Sequence, residues 1–339
     1  MYRKVKTMNK FTITCPMFDG EKVYEAATVT VENGVIVSVS EAESAPDCDL
    51  FLMPGLIDGH VHISQPQQMD MLVKRGVTTA CDVSVSKEIR AMGHKLNIHT
   101  SHISAMGNVE NGAQHVEDTI ATGGDFIKLF IEIPPAMAPR TIPAEILQEI
   151  ADTAHSKGLK VISHAASVPA QQMAVDAGVD ILLHTAMRTP TPRELVQQVV
   201  DKKLAFMPTI LMMKEFTIEP FRDYEEIGFE YACDAVKLFY DMGVPVLVGT
   251  DANDSTFVPA IEHGSSMSVE MEMLADCGIP VIDVLKGATS LNADVFGMDN
   301  IGRIAPGKKA DFILVKGRPD KNISDIRNIE KVFISGEPI

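Results

Sequence analysis

Residues 51–63 read FLMPGLIDGHVHI, and the interpretation of the whole chain starts from this stretch. Pro54 and Gly55 break a short apolar run, and a second apolar run then ends at His60 and His62. Because successive side chains of a β-strand alternate between its faces, these two imidazoles project from one face. Histidines of an ordinary core also satisfy this spacing, but two neutral imidazoles at a strand end can bind one metal ion. The stretch therefore predicts a buried strand with a candidate metal site at its end.

The composition is that of a large globular chain, with 339 residues of which 45% are hydrophobic and 22% are charged. Such a chain fits one large α/β domain with or without a small companion. No apolar run reaches the roughly 20 residues that cross a bilayer, and no apolar segment follows the basic N-terminus as a secretory signal requires. The net charge of −16 disfavours nucleic acid and membranes as partners, so we expect a small-molecule substrate.

Five cysteines are scattered along the chain, at Cys15, Cys48, Cys81, Cys233 and Cys277. Their odd number and irregular spacing argue against a disulfide framework and for a reducing compartment. We therefore expect a cytoplasmic protein.

From Leu56 onward, short apolar runs alternate with amphipathic segments, which is the pattern of buried parallel strands covered by helices. The strand at Leu56 is followed by seven more apolar runs, at residues 76–84, 96–103, 126–131, 159–165, 179–185, 204–210 and 244–252. Eight strand–helix units in about 200 residues predict an α/β fold of the (β/α)₈ TIM-barrel type. A doubly wound sheet is the competing architecture, but no glycine-rich phosphate loop follows the first strand.

A β pattern also appears at both ends of the chain. Residues 11–40 alternate apolar and polar side chains around a turn at Asn33, and residues 302–339 return to the same pattern. We predict that the two ends pair into one small, discontinuous β-sandwich, formed by residues 1–53 and 302–339. The barrel then occupies residues 54–301.

Active sites of such barrels lie where the strands end, so the last residues of each strand test the interpretation. Metal-ligand types recur at these positions, as His60 and His62 on the first strand, Lys128 on the fourth, His164 on the fifth, His184 on the sixth and Asp251 on the eighth. Each has a structural alternative. Lys128 could pair with Glu132, the histidines could be hydrogen-bonded core residues, and Asp251 could cap the helix that follows it.

These motifs, taken in their order, resemble the amidohydrolase superfamily of metal-dependent hydrolases. The resemblance covers nearly the whole chain, through PGLIDGHVH (54–62), GGDFIKLF (123–130), VISHA (161–165), ILLHT (181–185), GTDA (249–252) and ATSLNADVFGMDNIGRIAPGKKADFILV (288–315). The entry and exit segments, together with a lysine on the fourth strand, are similar to the imidazolonepropionase-like and prolidase-like branch.

The resemblance implies a centre of two divalent metal ions and a homo-oligomer. It assigns the more buried ion to His60, His62 and Asp251, the more exposed ion to His164 and His184, and a bridging role to Lys128. An ammonium group has no lone pair, so Lys128 would bridge as a carbamate formed with carbon dioxide. Zinc is the default metal, while manganese, iron and cobalt accept the same mixed nitrogen and oxygen ligands.

The implied chemistry is hydrolysis by a metal-bridging hydroxide, with Asp251 carrying the proton to the leaving group. We predict a binuclear amidohydrolase that cleaves an amide-type C–N bond in an N-acyl amino acid or an Xaa-Pro-like dipeptide. An alternative within the enzyme class is an imidazolonepropionase-like hydrolase of a cyclic amide, lactone or ester. The alternative outside it is a metal- or ligand-binding protein on a retired hydrolase barrel.

Three residues near the predicted strand ends are candidates for substrate contact. His102 follows the third strand, and Arg188 follows the sixth, where its guanidinium could bind a substrate carboxylate. Tyr231 belongs to the long segment after the seventh strand, which is rich in Met and Phe and could form one wall of an apolar pocket.

Overall fold

The computed structural model of the chain describes residues 10–46, 49–84, 86–133, 140–218 and 229–339. Numbered along the chain, the strands are β1 (Lys10–Phe18), β2 (Val23–Glu32), β3 (Val35–Glu41), β4 (Leu50–Pro54), β5 (Leu56–Val61), β6 (Val77–Asp82), β7 (Asn97–Thr100), β8 (Ser104–Ala105), β9 (Ile127–Phe130), β10 (Val161–His164), β11 (Ile181–Leu183), β12 (Ala205–Met207), β13 (Phe312–Lys316), β14 (Ile329–Ile334) and β15 (Glu337–Pro338).

The helices alternate with the central strands and continue beyond them. They are α1 (Pro66–Lys74), α2 (Lys87–Ala91), α3 (Gly112–Ala121), α4 (Ala144–Ser156), α5 (Val168–Ala177), α6 (Arg193–Asp201), α7 (Ile210–Glu215), α8 (Phe229–Asp241), α9 (Ser265–Asp276), α10 (Val281–Gly287) and α11 (Ser290–Phe296). A 3₁₀ helix spans Ile323–Arg327.

The middle of the chain folds into parallel strands. Three of them pair in the order β5-β6-β7, and five pair in the order β12-β11-β10-β9-β8. Every pairing within these two sheets is parallel, and β7 and β8 follow one another closely along the chain. Parallel strands require a crossover connection, which the intervening helices supply. The predicted α/β class is thus confirmed.

The predicted eighth strand, residues 244–252, lies between the last and the first of these parallel strands. On the β12 side, the backbone N–H of Leu247 donates to the carbonyl of Phe206 at 2.8 Å. On the β5 side, the N–H of Gly59 donates to the carbonyl of Val248 at 3.0 Å. One isolated parallel β-bridge accompanies these bonds on each side. The segment therefore pairs with each neighbour at isolated positions, whereas a regular strand would form a continuous series of backbone hydrogen bonds.

Helix α4 illustrates how the helices cover the sheets. The helix ends just before Gly158, which adopts a left-handed backbone (φ 74°) beyond the last turn. Its buried face is formed by residues three or four positions apart, namely Leu147, Ile150, Ala151 and Ala154. Within the described ranges, no helix has the length and apolar character needed to cross a membrane.

Strands from both ends of the chain share one seven-stranded sheet, in the order β15-β14-β13-β4-β1-β2-β3. Asn33 (φ 53°) and Gly34 (φ 83°) form the predicted two-residue turn between β2 and β3, whose left-handed backbone matches strand twist. The N–H of Ile36 donates to the carbonyl of Lys308 at 2.9 Å, so the β3 edge curls back toward the segment before β13. A division of this sheet into the two layers of a sandwich stays a prediction.

Cys233 on α8 and Cys277 just after α9 are joined by a disulfide bond. The sequence argues against a disulfide framework, and this bond, between residues 44 positions apart, is the one disulfide found among the described residues. Cys81 is a buried free thiol, Cys15 is buried, and Cys48 lies outside the described residues.

Gly55 is the single residue between β4 of the terminal sheet and β5 of the parallel region, next to the predicted domain boundary. Its N–H donates to the carbonyl of Asp311 at 3.0 Å. A β-carbon added at Gly55 would lie 2.2 Å from the Oγ1 atom and 2.4 Å from the Cγ2 atom of Thr78. Only a glycine therefore lets the junction approach β6 this closely.

We expect Gly55→Ala to lower the free energy of unfolding by about 1–3 kcal/mol, the usual cost of forcing an extra carbon into a packed core. Urea unfolding followed by circular dichroism measures this change. Adding Thr78→Ala removes the two nearest atoms and should restore part of the loss. A double variant that is no more stable than Gly55→Ala with a wild-type Thr78 would contradict the steric explanation.

Candidate metal centre

His60, His62 and Asp251 come together where β5 meets the segment that follows Val248. The N–H of Asp251 donates to the carbonyl of His60 at 2.8 Å, which fixes the two backbones side by side. The Oδ1 atom of Asp251 lies 3.0 Å from the Nε2 atom of His62 and 3.4 Å from that of His60. His60 is fully buried, whereas the side chain of His62 is 37% exposed, so the cluster faces solvent on the His62 side.

His184 joins this cluster from the end of β11. Ligand atoms of His60, His184 and Asp251 all lie within 4.8 Å of one another, which is a separation that one metal ion can span. The ring centroid of His184 lies 5.4 Å from that of His60 and 4.4 Å from that of His164. The structure thus gathers residues from β5, β10, β11 and the segment after Val248, as the strand-end interpretation predicted.

The contacts of the Thr209 hydroxyl with Pro208 and His184 are the basis on which we assign a tautomer to His184. The Thr209 hydroxyl has one proton, which it donates to the carbonyl of Pro208 at 2.8 Å. Donation to the carbonyl leaves the hydroxyl to accept at its contact of 2.7 Å with the Nδ1 atom of His184, and on this ground we assign the ring proton to Nδ1. The Nε2 atom of His184 then keeps a free lone pair, and it is buried without a hydrogen-bond partner among the described residues.

Burial keeps the central imidazoles neutral. The pKa values of His60 and His184 lie well below the usual histidine range, mainly because desolvation disfavours the charged ring. The nearby ammonium of Lys128 and the neighbouring imidazoles lower both pKa values further. Both ring nitrogens of His60 are buried without a hydrogen-bond partner among the described residues. Neutral rings with unpartnered nitrogens suit metal ligation.

His164 lies at the end of β10 beside Glu132. Its Nε2 atom is 2.6 Å from the Oε1 atom of Glu132, and its ring stacks on Phe130 with centroids 4.2 Å apart. Burial lowers the pKa of His164, while the carboxylate of Glu132 opposes that shift. Glu132, the suggested partner of Lys128, thus contacts His164, and a carboxylate on one ring nitrogen orients the other for a metal.

Lys128 is a buried lysine on β9, 3% exposed. Burial lowers the pKa of its amine to about 7, and the carboxylate of Asp251 acts in the opposite direction. A large fraction of the amine is therefore neutral near pH 7 and has the lone pair that an ammonium lacks.

Asp58 is a site residue that the sequence analysis missed. It is fully buried, and its Oδ1 atom accepts from the N–H of Thr250 at 3.0 Å and from that of His60 at 3.3 Å. Its Oδ2 atom accepts from the Thr250 hydroxyl at 2.7 Å. Burial raises the pKa of Asp58 to about 7 despite these donors. The sequence did contain an indication of this role, since Asp58 lies between Ile57 and Gly59 in an otherwise apolar strand. A charged residue in such a strand needs a hydrogen-bonding or charged partner.

Three residues of the cluster have left-handed backbones, which side chains other than glycine rarely adopt. Their φ angles are 71° for His184, 46° for Thr209 and 57° for Asp251. Such conformations cost on the order of 1–3 kcal/mol each and persist where surrounding contacts over-determine them. Strain concentrated at strand ends that carry potential ligands is typical of a functional site.

The three predicted substrate contacts lie in different surroundings. The Nε2 atom of His102 is 3.3 Å from the Nη1 atom of Arg90, which also donates to the carbonyl of Gly123. Arg188 is exposed on the segment after His184, and Tyr231 is half-buried on α8. Contact of these residues with a substrate stays a prediction.

This donor set fits a divalent cation. It combines neutral imidazoles, one carboxylate and unpartnered buried nitrogens, and these are the ligand types that zinc and related metals take in proteins. Fold and site together define the class of metal-dependent hydrolases.

The chain belongs to the amidohydrolase family, whose sequence pattern matches residues 51–339. It is 26% identical over 345 residues to an adenine deaminase of Bacillus pumilus, covering 92% of this chain and 54% of that protein. It is 24% identical to an adenine deaminase of Oceanobacillus iheyensis, covering 93% and 54%. The chain thus spans about half the length of the curated relatives it matches.

Solved structures show the same fold. A Xaa-Pro dipeptidase with bound methionine superposes with a TM-score of 0.83 at 20% identity, covering 98% of this chain and all of that one. A prolidase complexed with N-methylphosphonate-L-proline gives a TM-score of 0.81 at 17% identity, covering 98% and 99%. A molinate hydrolase gives 0.80 at 17% identity, covering 98% and 95%. The predicted membership of the amidohydrolase superfamily is confirmed by the family match, and the imidazolonepropionase-like and prolidase-like branch within it stays a prediction.

We expect Asp58→Asn to lower the free energy of unfolding by about 1–3 kcal/mol, because an amide nitrogen would face donors that now bind a carboxylate. Thr250→Ala, which removes the hydroxyl that donates to Asp58 and accepts from the N–H of Ala252, serves as the comparison. Urea titration measures both. Equal stability of Asp58→Asn and the wild type would show that the carboxylate does not join β5 to Thr250.

Proposed function

We propose that the chain is a metal-dependent hydrolase of carbon–nitrogen bonds, built on a closed (β/α)₈ barrel with a two-metal centre. The observation that carries this proposal is the pair of buried, neutral imidazoles, His60 and His184, whose unpartnered nitrogens face Asp251. Family membership supports a hydrolase. Contacts of residues 245–252 with both neighbouring strands support closure of the barrel.

The described residues suggest how two ions would be held. We assign the more buried ion to His60, His62 and Asp251, the more exposed ion to His164 and His184, and a bridge between them to Lys128. The amine of Lys128 adds to carbon dioxide and loses one proton, which gives a carbamate with two oxygen donors. Its burial and its largely neutral amine favour this addition. Zinc is the default metal.

When bound, divalent ions lower the pKa of water and polarise the scissile bond. Asp251 is suited to move the proton, because its Oδ1 atom lies beside both His60 and His62 and its carboxylate reaches the solvent side of the cluster. We assign Asp251 to accept the proton of the attacking water and to deliver it to the leaving nitrogen.

The substrate is proposed as a small molecule with an amide-type C–N bond, an N-acyl amino acid or an Xaa-Pro-like dipeptide. Arg188 is exposed close to His184 in sequence, and its guanidinium would bind the carboxylate that such substrates carry. The fold shared with a Xaa-Pro dipeptidase is compatible with this choice. Cyclic amides, lactones and esters would be attacked in the same way.

A second candidate is hydrolytic deamination of an aminopurine. The sequence relatives named above are adenine deaminases, and both are matched over more than nine-tenths of this chain. The same site would add water to a ring carbon and release ammonia. Neither candidate is expected if the barrel only binds metal, as in the retired-hydrolase alternative.

Metal content tests the two-ion centre. Protein purified without chelator and with bicarbonate should contain about two equivalents of metal per chain by elemental analysis. We expect Lys128→Ala to lose metal, because the bridge is gone, and added acetate to restore part of it. Lys160→Ala is the matched control, since its amine pairs with Asp180 at the surface. Metal content that does not respond to Lys128→Ala would remove the bridging role.

Turnover tests the reaction. A panel of N-acyl amino acids, Xaa-Pro dipeptides, a cyclic amide, a lactone and adenine should give metal-dependent hydrolysis of one class, detected as released amine or ammonia. Asp251→Asn should lower kcat about 100- to 10,000-fold, the range for a lost acid–base group. Metal content of that variant must be measured alongside, because Asp251 is also an assigned ligand. Unchanged turnover would refute the proton-transfer role.

A further inference from the structure

Glu270 on α9 is a fully buried carboxylate with no part in the chemistry described above. Its Oε1 atom accepts from the N–H of Ile210 at 2.8 Å, and its Oε2 atom accepts from the N–H of Leu211 at 2.9 Å. Burial raises the pKa of Glu270 to about 8, and the neighbouring acids Asp58 and Asp251 raise it further, whereas the two backbone N–H donors lower it. The N–H donors of Ile210 and Leu211 therefore offset part of the cost of burying this side chain.

These donors begin α7, a helix of six residues whose N-cap is Thr209. A threonine at this position normally turns its hydroxyl onto the first N–H groups of its own helix. Here the Thr209 side chain makes no cap bond. The hydroxyl donates to Pro208 and contacts the Nδ1 atom of His184 at 2.7 Å. Glu270 supplies from α9 the cap that Thr209 does not provide.

We propose that Glu270 is a positioning residue for the metal ligand His184. By binding the N–H groups of Ile210 and Leu211, Glu270 holds the start of α7 and so keeps Thr209 in the backbone conformation that places its hydroxyl 2.7 Å from the Nδ1 atom of His184. That contact leaves the Nε2 atom of His184 unprotonated and directed at His60 and Asp251. This inference rests on the proposed function for its metal and on the hydrogen bonds of α7 and α9 for its geometry.

The contacts from Glu270 through α7 and Thr209 to His184 predict how a substitution of Glu270 weakens metal binding. In Glu270→Gln the side chain has one oxygen for two donors, so one N–H of α7 loses its acceptor. The start of α7 is then held less firmly, so the Thr209 hydroxyl no longer keeps a fixed position beside His184. The imidazole loses its fixed tautomer, and its Nε2 lone pair is no longer assured.

Zinc affinity measured by chelator competition on the full chain is the first test. Losing a group that orients a ligand typically weakens metal binding 10- to 100-fold, so we expect this for Glu270→Gln and for Thr209→Val. Thr209→Ser, which keeps the hydroxyl, should bind zinc like the wild type. The double variant Glu270→Gln/Thr209→Val should be no weaker than either single one, because both act on the same contact.

Two controls on α9 separate positioning from general destabilisation. Glu272→Gln removes the same charge from a residue that pairs with Arg327 at the surface, and Met271→Ala removes a fully buried apolar side chain. Both should leave zinc affinity unchanged at temperatures below unfolding. If Glu270→Gln does not fold, Glu270→Asp, whose shorter side chain cannot reach both donors, takes its place.

The tautomer of His184, read from ¹⁵N-histidine NMR of chelator-treated protein and assigned with His184→Gln, is the second test. The wild type should show one Nδ1–H tautomer, and Glu270→Gln should show a mixture. If Glu270→Gln binds zinc with wild-type affinity and its His184 signal is unchanged, the positioning role is refuted. Glu270 then only caps α7. If the wild type takes up no zinc, the proposed function fails, and the His184 signal alone then decides the role of Glu270.

Discussion

The backbone pairing between β5 and the segment after Val248 is the constraint on which the centre depends. The N–H of Asp251 donates to His60, and the N–H of His62 donates to Ala252, both at 2.8 Å. These two bonds place the carboxylate of Asp251 beside the imidazoles of His60 and His62. In the sequence, most of the parallel strands lie between these histidines and Asp251. The other ligand candidates arrive on strands already held in register by parallel pairing.

Two buried carboxylates outside the ligand set stabilise this arrangement in the same way. Asp58 binds the N–H groups of Thr250 and His60, and Glu270 binds those of Ile210 and Leu211. In each case the acid accepts hydrogen bonds from backbone N–H groups at or next to a residue of the metal centre. A carboxylate buried in this way must keep its donors, which makes the local backbone rigid where the φ angles are least favourable.

The sequence predicted the classes of structure well because they follow from periodicity. Short apolar runs alternating with amphipathic segments identified the parallel strands. The structure brings together the strand-end residues His60, His62, His164, His184 and Asp251, whose roles as metal ligands stay a prediction. What it could not predict depends on distant contacts. Three contacts depend on how distant elements pack, and no local spacing in the sequence encodes them. They are the contact of Thr209 with His184, the contact of His164 with Glu132, and the Cys233–Cys277 bond.

The sheet formed by both ends of the chain has a consequence for biosynthesis. β4 pairs with β1 early in the sequence but also with β13, which lies beyond all the parallel strands. A nascent chain leaving the ribosome would therefore carry an unpaired edge on β4 until β13 had been translated. Because bare strand edges recruit other chains, this protein is expected to be vulnerable to aggregation during translation and to benefit from a chaperone that shields that edge.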